Sequence, residues 1–138
     1  MALLGKLGNY KNFGLLIIRL GLGVMFIWHG YPKLIGGPEM WKQIGENAKF
    51  IHLDFAPVLW GLLSGVAEGV GGVLLILGLA FRPACLLLII DLTVAALFHM
   101  HQTGPMGGLG GASHAIEDGV TFLGLLFVGP GRYSMDKR

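Results

Sequence analysis

The chain has 138 residues, of which 54% are hydrophobic and 13% are charged, and its formal net charge at neutral pH is +2. Soluble domains carry roughly a quarter charged residues, so this composition predicts a membrane protein, and the length predicts a single domain. The small net charge argues against nucleic acid as a partner. The single cysteine, Cys85, excludes an internal disulfide and a CxxC redox pair.

Four apolar stretches are predicted to cross the lipid bilayer, because each approaches the 20 or so largely apolar residues that a spanning helix needs. They occupy roughly residues 13–31, 56–79, 84–101 and 112–128, and the last is shorter and polar at its start. Pro32 and the Gly36-Gly37-Pro38 cluster are expected to end the first span, and Arg82-Pro83 to form the turn between the second and third. We therefore expect an all-α, integral membrane four-helix bundle, with residues 1–138 as one transmembrane domain.

The segment PEMWKQIGENAKFI lies between the first two spans and begins with Pro38, which suits a helix start. Its larger apolar residues recur every three or four positions, at Trp41, Ile44, Ala48 and Ile51. This spacing predicts a short amphipathic helix on the membrane surface. A polar loop whose periodicity arises by chance is the alternative.

The basic residues predict the orientation in the membrane. With four spans both termini lie on one side, and that side holds six basic residues: Lys6, Lys11, Arg82, Arg132, Lys137 and Arg138. The other side holds three: Lys33, Lys42 and Lys49. Because positive charge accumulates on the cytoplasmic side, we expect a multi-pass plasma membrane protein with both termini in the cytoplasm.

Glycines within the predicted spans recur at spacings that allow helix backbones to approach closely in lipid. The second span has Gly61, Gly65, Gly69 and Gly72, and the first has Gly14, Gly21, Gly23 and Gly30. We expect a tight bundle without a wide aqueous pore.

Ionisable residues inside the spans are costly, so they are expected to face the bundle interior. At about 1.5 Å of rise per residue, Arg19 and Asp91 lie about 9 and 10 Å from the cytoplasmic ends of their spans. The sequence predicts that these two meet in a lower layer, with Glu68 near the middle. The outer third would hold His29, His99, Glu117 and Asp118. The interior charges form either a structural ion-pair network or a group of carboxylates that carry protons.

The outer polar group suggests two chemistries. In the first, histidines and a carboxylate bind a soft metal ion such as copper, with His99, His101, His114 and Glu117 as ligands. In the second, the same region hydrogen-bonds the carbonyl oxygens of a quinone and exchanges protons with it. The residues expected to carry that chemistry are Glu68, His29 and Glu117, and those expected to bind the ligand are Arg19, Lys33, Asp91, His99, His114 and Asp118.

The chain resembles the DoxX family of small four-helix membrane proteins over nearly its whole length. The resemblance rests on RLGLGVMFIWHGYPKL, the loop GPEMWKQIGENAKFI, WGLLSGVAEGVGGVLLILGLAFRPA and the closing GPGRYSMD. The matching polar residues are Arg19, Lys33, Glu68 and Arg82. The family takes its name from subunits linked to a thiosulfate:quinone oxidoreductase, which implies a quinone-facing membrane role.

The leading hypothesis is therefore a membrane subunit of a quinone-linked oxidoreductase that binds a quinone or similar small redox molecule in a polar pocket near the outer face. Its expected partners are other redox subunits or further copies of the chain. The alternatives are a metal-binding membrane protein and a transporter or assembly partner without chemistry of its own.

Overall fold

The computed structural model describes residues 4–105 and 107–136, and this part of the chain folds into five α-helices. They are α1 (Lys11–Ile35), α2 (Gly37–Gly45), α3 (Pro57–Leu77), α4 (Phe81–His101) and α5 (Gly108–Val128). Two 3-10 helices, Gly5–Tyr10 and Glu46–Ile51, precede α1 and follow α2. The all-helical prediction is confirmed.

Within the described residues, three helical segments are long and apolar enough to cross a membrane: Gly5–Ile35, which includes α1, then α3 and α4. The expected fourth span is not confirmed by this criterion. Its helix, α5, has the same 21 residues as α3 and α4. The difference is that the first half of α5 carries His114, Glu117 and Asp118, which lower its hydropathy.

The first long helix continues through Pro32 and ends at Ile35, directly before the Gly36-Gly37-Pro38 cluster that is also predicted to end it. A proline near the end of a helix removes one backbone hydrogen bond, and here the helix tolerates that loss. The chain turns instead at Gly37, whose φ of +79° is a conformation that glycine adopts without strain. Helix α2 begins at this residue.

Helices α1 and α3 pack through glycines, as their spacing predicts. A Cβ added at Gly30 would meet the backbone of Gly69, and one added at Gly23 would meet the carbonyl oxygen of Gly72. The helix backbones therefore touch, which in lipid is the main source of association energy between spans. The other two first-span glycines, Gly14 and Gly21, have open space around them and are not packing positions.

The segment between α1 and α3 contains a short helix, as predicted, but the expected position of this helix on the membrane surface is not confirmed. The segment forms α2 and the 3-10 helix Glu46–Ile51, and α2 packs directly on α3. Gly45 contacts the backbone of Pro57, and Gly61 contacts the backbone of Trp41. The indole Nε1–H of Trp41 also donates a hydrogen bond to the carbonyl oxygen of Lys33, at 2.7 Å, which ties α2 back to α1.

Helices α4 and α5 pack against each other and complete the hydrophobic core. Its fully buried members include Leu75, Phe81, Leu88 and Phe122. The rings of Phe26 and Phe122 meet edge to face with centroids 5.1 Å apart, so α5 reaches α1 through this aromatic pair.

Arg19 lies fully buried at the end of α3 and does not pair with Asp91, contrary to expectation. Its guanidinium donates to four carbonyl oxygens, those of Leu75 (2.9 Å), Ile76 (2.7 Å), Pro130 (3.0 Å) and Tyr133 (2.6 Å). The last turn of a helix leaves its carbonyls without intrahelical donors, and a cation is favourable there. Arg19 therefore joins the end of α3 to the closing segment 129–136.

The closing segment also caps α4. The two carboxylate oxygens of Asp136 accept hydrogen bonds from the backbone N–H groups of Ala80 (2.8 Å) and Phe81 (2.9 Å). An acidic side chain at a helix start satisfies free N–H groups and opposes the positive end of the helix dipole. Arg19 and Asp136 together fix the α3–α4 turn from both sides.

Candidate functional site

A cavity of about 510 Å³ lies between α3, α4 and the segment formed by α2 and the following 3-10 helix. Most of its wall is apolar, with Leu63, Ala67, Val94, Ala95 and Phe98 as examples. Its polar residues are Lys33, Asn47, Trp60, Ser64, Asp91 and His99. Small-molecule sites typically have this composition, a largely apolar wall with a few polar groups that fix orientation.

The inner end of the cavity, here called the floor, is lined by Lys33, Ser64 and Asp91, and the carboxylate of Glu68 lies behind them against Lys33. The Lys33 ammonium lies 2.8 Å from Oε2 of Glu68 and donates a hydrogen bond to Ser64 Oγ at 3.3 Å. The Asp91 carboxyl is close enough to Glu68, Lys33 and Ser64 to interact with all three. Glu68 is 7% exposed, so this is a buried ion pair with a second carboxylate beside it.

The floor lies near the middle of the apolar helices. Glu68 is eleven residues from the start of α3 and Asp91 ten from the start of α4, which places both about 15 Å along helices of about 30 Å. The predicted separate layers for these two residues are therefore wrong.

Lys33 reaches the same depth although it is close to the end of α1. Helix α1 ends beside Gly65, and α2 continues along the remaining two turns of α3. Lys33 thus lies at the middle of α3 rather than at the outer edge expected from its position in the first span.

The opposite end of the cavity, here called the mouth, carries two buried polar atoms without partners. Trp60 Nε1 and His99 Nδ1 have no hydrogen-bond partner among residues 4–105 and 107–136. Leaving a buried donor or acceptor unpaired costs about 1–3 kcal/mol, so both atoms favour a polar partner within the cavity. Each residue is eight positions from the floor residue on its own helix, so mouth and floor are about 12 Å apart.

The structure divides the predicted outer histidine group among three places. His99 lines the cavity. The ring of His29 lies 6.0 Å from that of His114, whose Nδ1 is 3.2 Å from Oδ2 of Asp118. His101 stacks on the ring of Phe50, with centroids 4.8 Å apart.

Three of the residues predicted to act with Glu68 do not line the cavity. They are His29, His114 and Glu117. Glu117 is exposed, and the carboxylate that lies near His114 is that of Asp118, which is half-buried.

The predicted metal ligands His99, His101, His114 and Glu117 are not brought together. In the described part of the chain, no group of three or more histidine, cysteine, aspartate or glutamate side chains is arranged to hold a metal ion. His99 lines the cavity, the ring of His101 stacks on that of Phe50, and the ring of His114 lies against that of His29, so the three histidines lie in separate places.

Sequence reasoning missed Trp60, Ser64 and Asn47 as site residues. A signal for the first two was present, because Trp60, Ser64 and Glu68 are spaced by four and share one face of a helix. Asn47 gave no comparable signal, since its place on the wall depends on how the α2 segment folds over α3.

The family comparison agrees with this architecture. The DoxX family model matches residues 14–102, which include most of α1, all of α2 to α4 and every residue of the floor and mouth. No solved structure gives a significant match to the chain.

Three similar proteins come from bacteria. The chain is 36% identical to "Uncharacterized membrane protein Rv3486" of Mycobacterium tuberculosis, over 88% of this chain and 78% of that protein. It is 31% identical to an uncharacterized protein of Haemophilus influenzae, over 98% and 97% of the two chains. It is 26% identical to "Inner membrane protein YphA" of Escherichia coli, over 94% and 97%. With its apolar helices and these relatives, the chain is a membrane protein that belongs to the DoxX family.

Proposed function

We propose that this protein binds a quinone or a similar small redox molecule in the cavity and serves as the membrane subunit of a quinone-linked oxidoreductase. The observation that carries the proposal is the cavity itself. It combines about 510 Å³ of mostly apolar wall with two unpartnered polar atoms at its mouth, those of Trp60 and His99.

The residues present fit a flat ring that carries carbonyl oxygens. The indole N–H of Trp60 is a donor without an acceptor, and a carbonyl oxygen would satisfy it. His99 Nδ1 offers a second polar contact on the facing helix, while Phe98 and Ala95 supply apolar surface between mouth and floor. A bound quinone would supply two-electron chemistry, and the chain would orient it and keep it from water.

The electrons would come from a partner. The chain contains one cysteine, which cannot by itself ligate an iron–sulfur cluster, and its sequence has no haem or flavin motif. We therefore propose that a second redox subunit docks on this protein, or that copies of the chain assemble around such a partner.

The same proposal includes α5 as a fourth span, so that residues 1–138 form one transmembrane domain with both termini in the cytoplasm. Asp118 supports it, because this carboxylate is half-buried and its contact with His114 reduces the cost of placing it at membrane depth. The distribution of basic residues supports the orientation.

The test is to purify the protein in its native lipid, extract the sample and quantify bound quinones by mass spectrometry. Ala95 lines the cavity, so Ala95→Phe should fill part of it and reduce bound quinone at least severalfold. Val120 is 65% exposed on α5, and Val120→Phe is the matched control that should retain the parent level. Absence of quinone from the parent protein, or equal amounts in the parent and Ala95→Phe, would refute the proposal.

A further inference from the structure

The cavity floor contains more negative than positive groups. Two carboxylates, Glu68 and Asp91, share a single ammonium, that of Lys33. Lys33 comes from α1, Glu68 from α3 and Asp91 from α4, so all three long apolar helices contribute to the group. The α2 segment adds the neutral Asn47 to the same cavity, and α4 adds one further titratable side chain, His99 at the mouth.

One ammonium cannot balance two ionised carboxylates at this depth in the apolar helices. Two neighbouring carboxylates in a low-dielectric site hold one proton between them, because the second negative charge would lie unpaired at mid-membrane depth. One ammonium balances one carboxylate. The stable state of the floor is therefore a Lys33–Glu68 ion pair beside a carboxylic acid.

We propose that Glu68 and Asp91 share one stored proton and that the cavity is consequently a hydrogen-bond donor site, which selects molecules whose polar atoms are acceptors. The donors are the indole N–H of Trp60 at the mouth and the acid O–H at the floor. The inference rests on the proposed function and refines it: the oxidised, carbonyl-bearing form of a quinone is the preferred occupant, and its binding is linked to one proton.

The floor and the mouth contact different parts of a bound molecule. They are separated by about two helical turns, or about 12 Å, so a small ring that accepts a hydrogen bond from the acid at the floor directs its substituents towards the mouth. Loss of the stored proton turns the floor from a donor into an acceptor, which repels carbonyl oxygen. Affinity for the oxidised form should then fall as the pH rises.

The experiment measures binding of a para-benzoquinone with a short alkyl tail to the full-length protein in lipid nanodiscs. Quenching of tryptophan fluorescence gives the dissociation constant across the pH range in which carboxyl and imidazole groups titrate. In the parent protein, affinity should be constant at low pH and fall by up to about tenfold per pH unit above the midpoint, as expected for one linked proton.

Two variants should bind quinone with an affinity that does not depend on pH, one of them tightly and the other weakly. Asp91→Asn leaves the Lys33–Glu68 pair balanced and presents an amide N–H at every pH, so binding should stay tight and become independent of pH. Glu68→Gln leaves one ammonium with one carboxylate, so no proton is stored and binding should be weak at every pH. His99→Gln is the control, because it removes the imidazole at the mouth and should preserve the slope of the parent.

The inference would be overturned if the affinity of Asp91→Asn for quinone fell with pH as steeply as that of the parent. It would also be overturned if the affinity of His99→Gln no longer depended on pH. Quinone binding that does not change with pH in the parent would overturn it as well, while leaving the proposed function in place. Absence of quinone binding to the parent at every pH would overturn both. The two variants are interpretable together, since a general loss of folding cannot produce tight binding in Asp91→Asn.

Discussion

Replacing Arg19 by lysine should destabilise the protein strongly although the charge is kept. The Arg19 guanidinium is 1% exposed and donates from three nitrogens to four carbonyl oxygens in two separate parts of the chain. Lysine has a single nitrogen on a flexible stem and cannot reach the end of α3 and the segment 129–136 in the same fork geometry.

The magnitude follows from the hydrogen bonds that are lost. Hydrogen bonds to charged groups contribute about 1.5 kcal/mol each, so four contribute about 6 kcal/mol. Lysine retains at most two of them, which leaves a loss of about 3 kcal/mol in the free energy of unfolding. For a chain of 138 residues this corresponds to a fall of about 10 °C in Tm.

Thermal unfolding in detergent micelles, followed by circular dichroism, measures the difference. Arg82→Lys is the matched control, since Arg82 is exposed and makes one hydrogen bond to the carbonyl oxygen of Leu126, at 3.1 Å. It should change Tm by no more than a degree or two, about what one weak surface contact contributes. If Arg19→Lys and Arg82→Lys lowered Tm equally, Arg19 would not be the joint between α3 and the closing segment.

Three further outcomes are expected. Gly30→Ala should separate α1 from α3 and cost about 1–3 kcal/mol, seen as a lower Tm, whereas Gly21→Ala, in open space, should be neutral. Asp136→Ala should cost about 1–2 kcal/mol by uncapping α4, with Asp136→Asn about half as severe because one acceptor oxygen remains; equal losses would argue against capping. In intact cells, a membrane-impermeant maleimide should label Lys49→Cys but not Arg132→Cys, and labelling of the latter would contradict cytoplasmic termini. The native Cys85 is buried and should give little background.

Part of the site could be predicted because a charge inside an apolar helix is energetically costly and is normally paired with another polar group. Glu68 and Asp91 stand out as carboxylates inside long apolar segments, and the structure brings both together with Lys33. Their grouping could not be derived from depth along each span. It depends on α1 ending beside the middle of α3, which the glycine contacts between the two helices determine.

The misassignment of Arg19 has a different cause. An arginine inside an apolar helix suggests a carboxylate partner, and Asp91 was the available one. Backbone carbonyls at a helix end are equally good acceptors, but a sequence does not reveal which helix end will be adjacent. The closing segment lies more than 110 residues from Arg19 along the chain, so the sequence gives no sign that folding places its carbonyl groups beside the guanidinium.

The amino-acid sequence by itself determined the helical class, the membrane environment and the identity of the interior charges. These features follow from local hydropathy and from the free-energy cost of burying a charge. The tertiary structure alone decided which charges meet, where the cavity opens and which histidines line it. Helix rotation and register set those features, and both depend on close contacts between residues far apart in the chain.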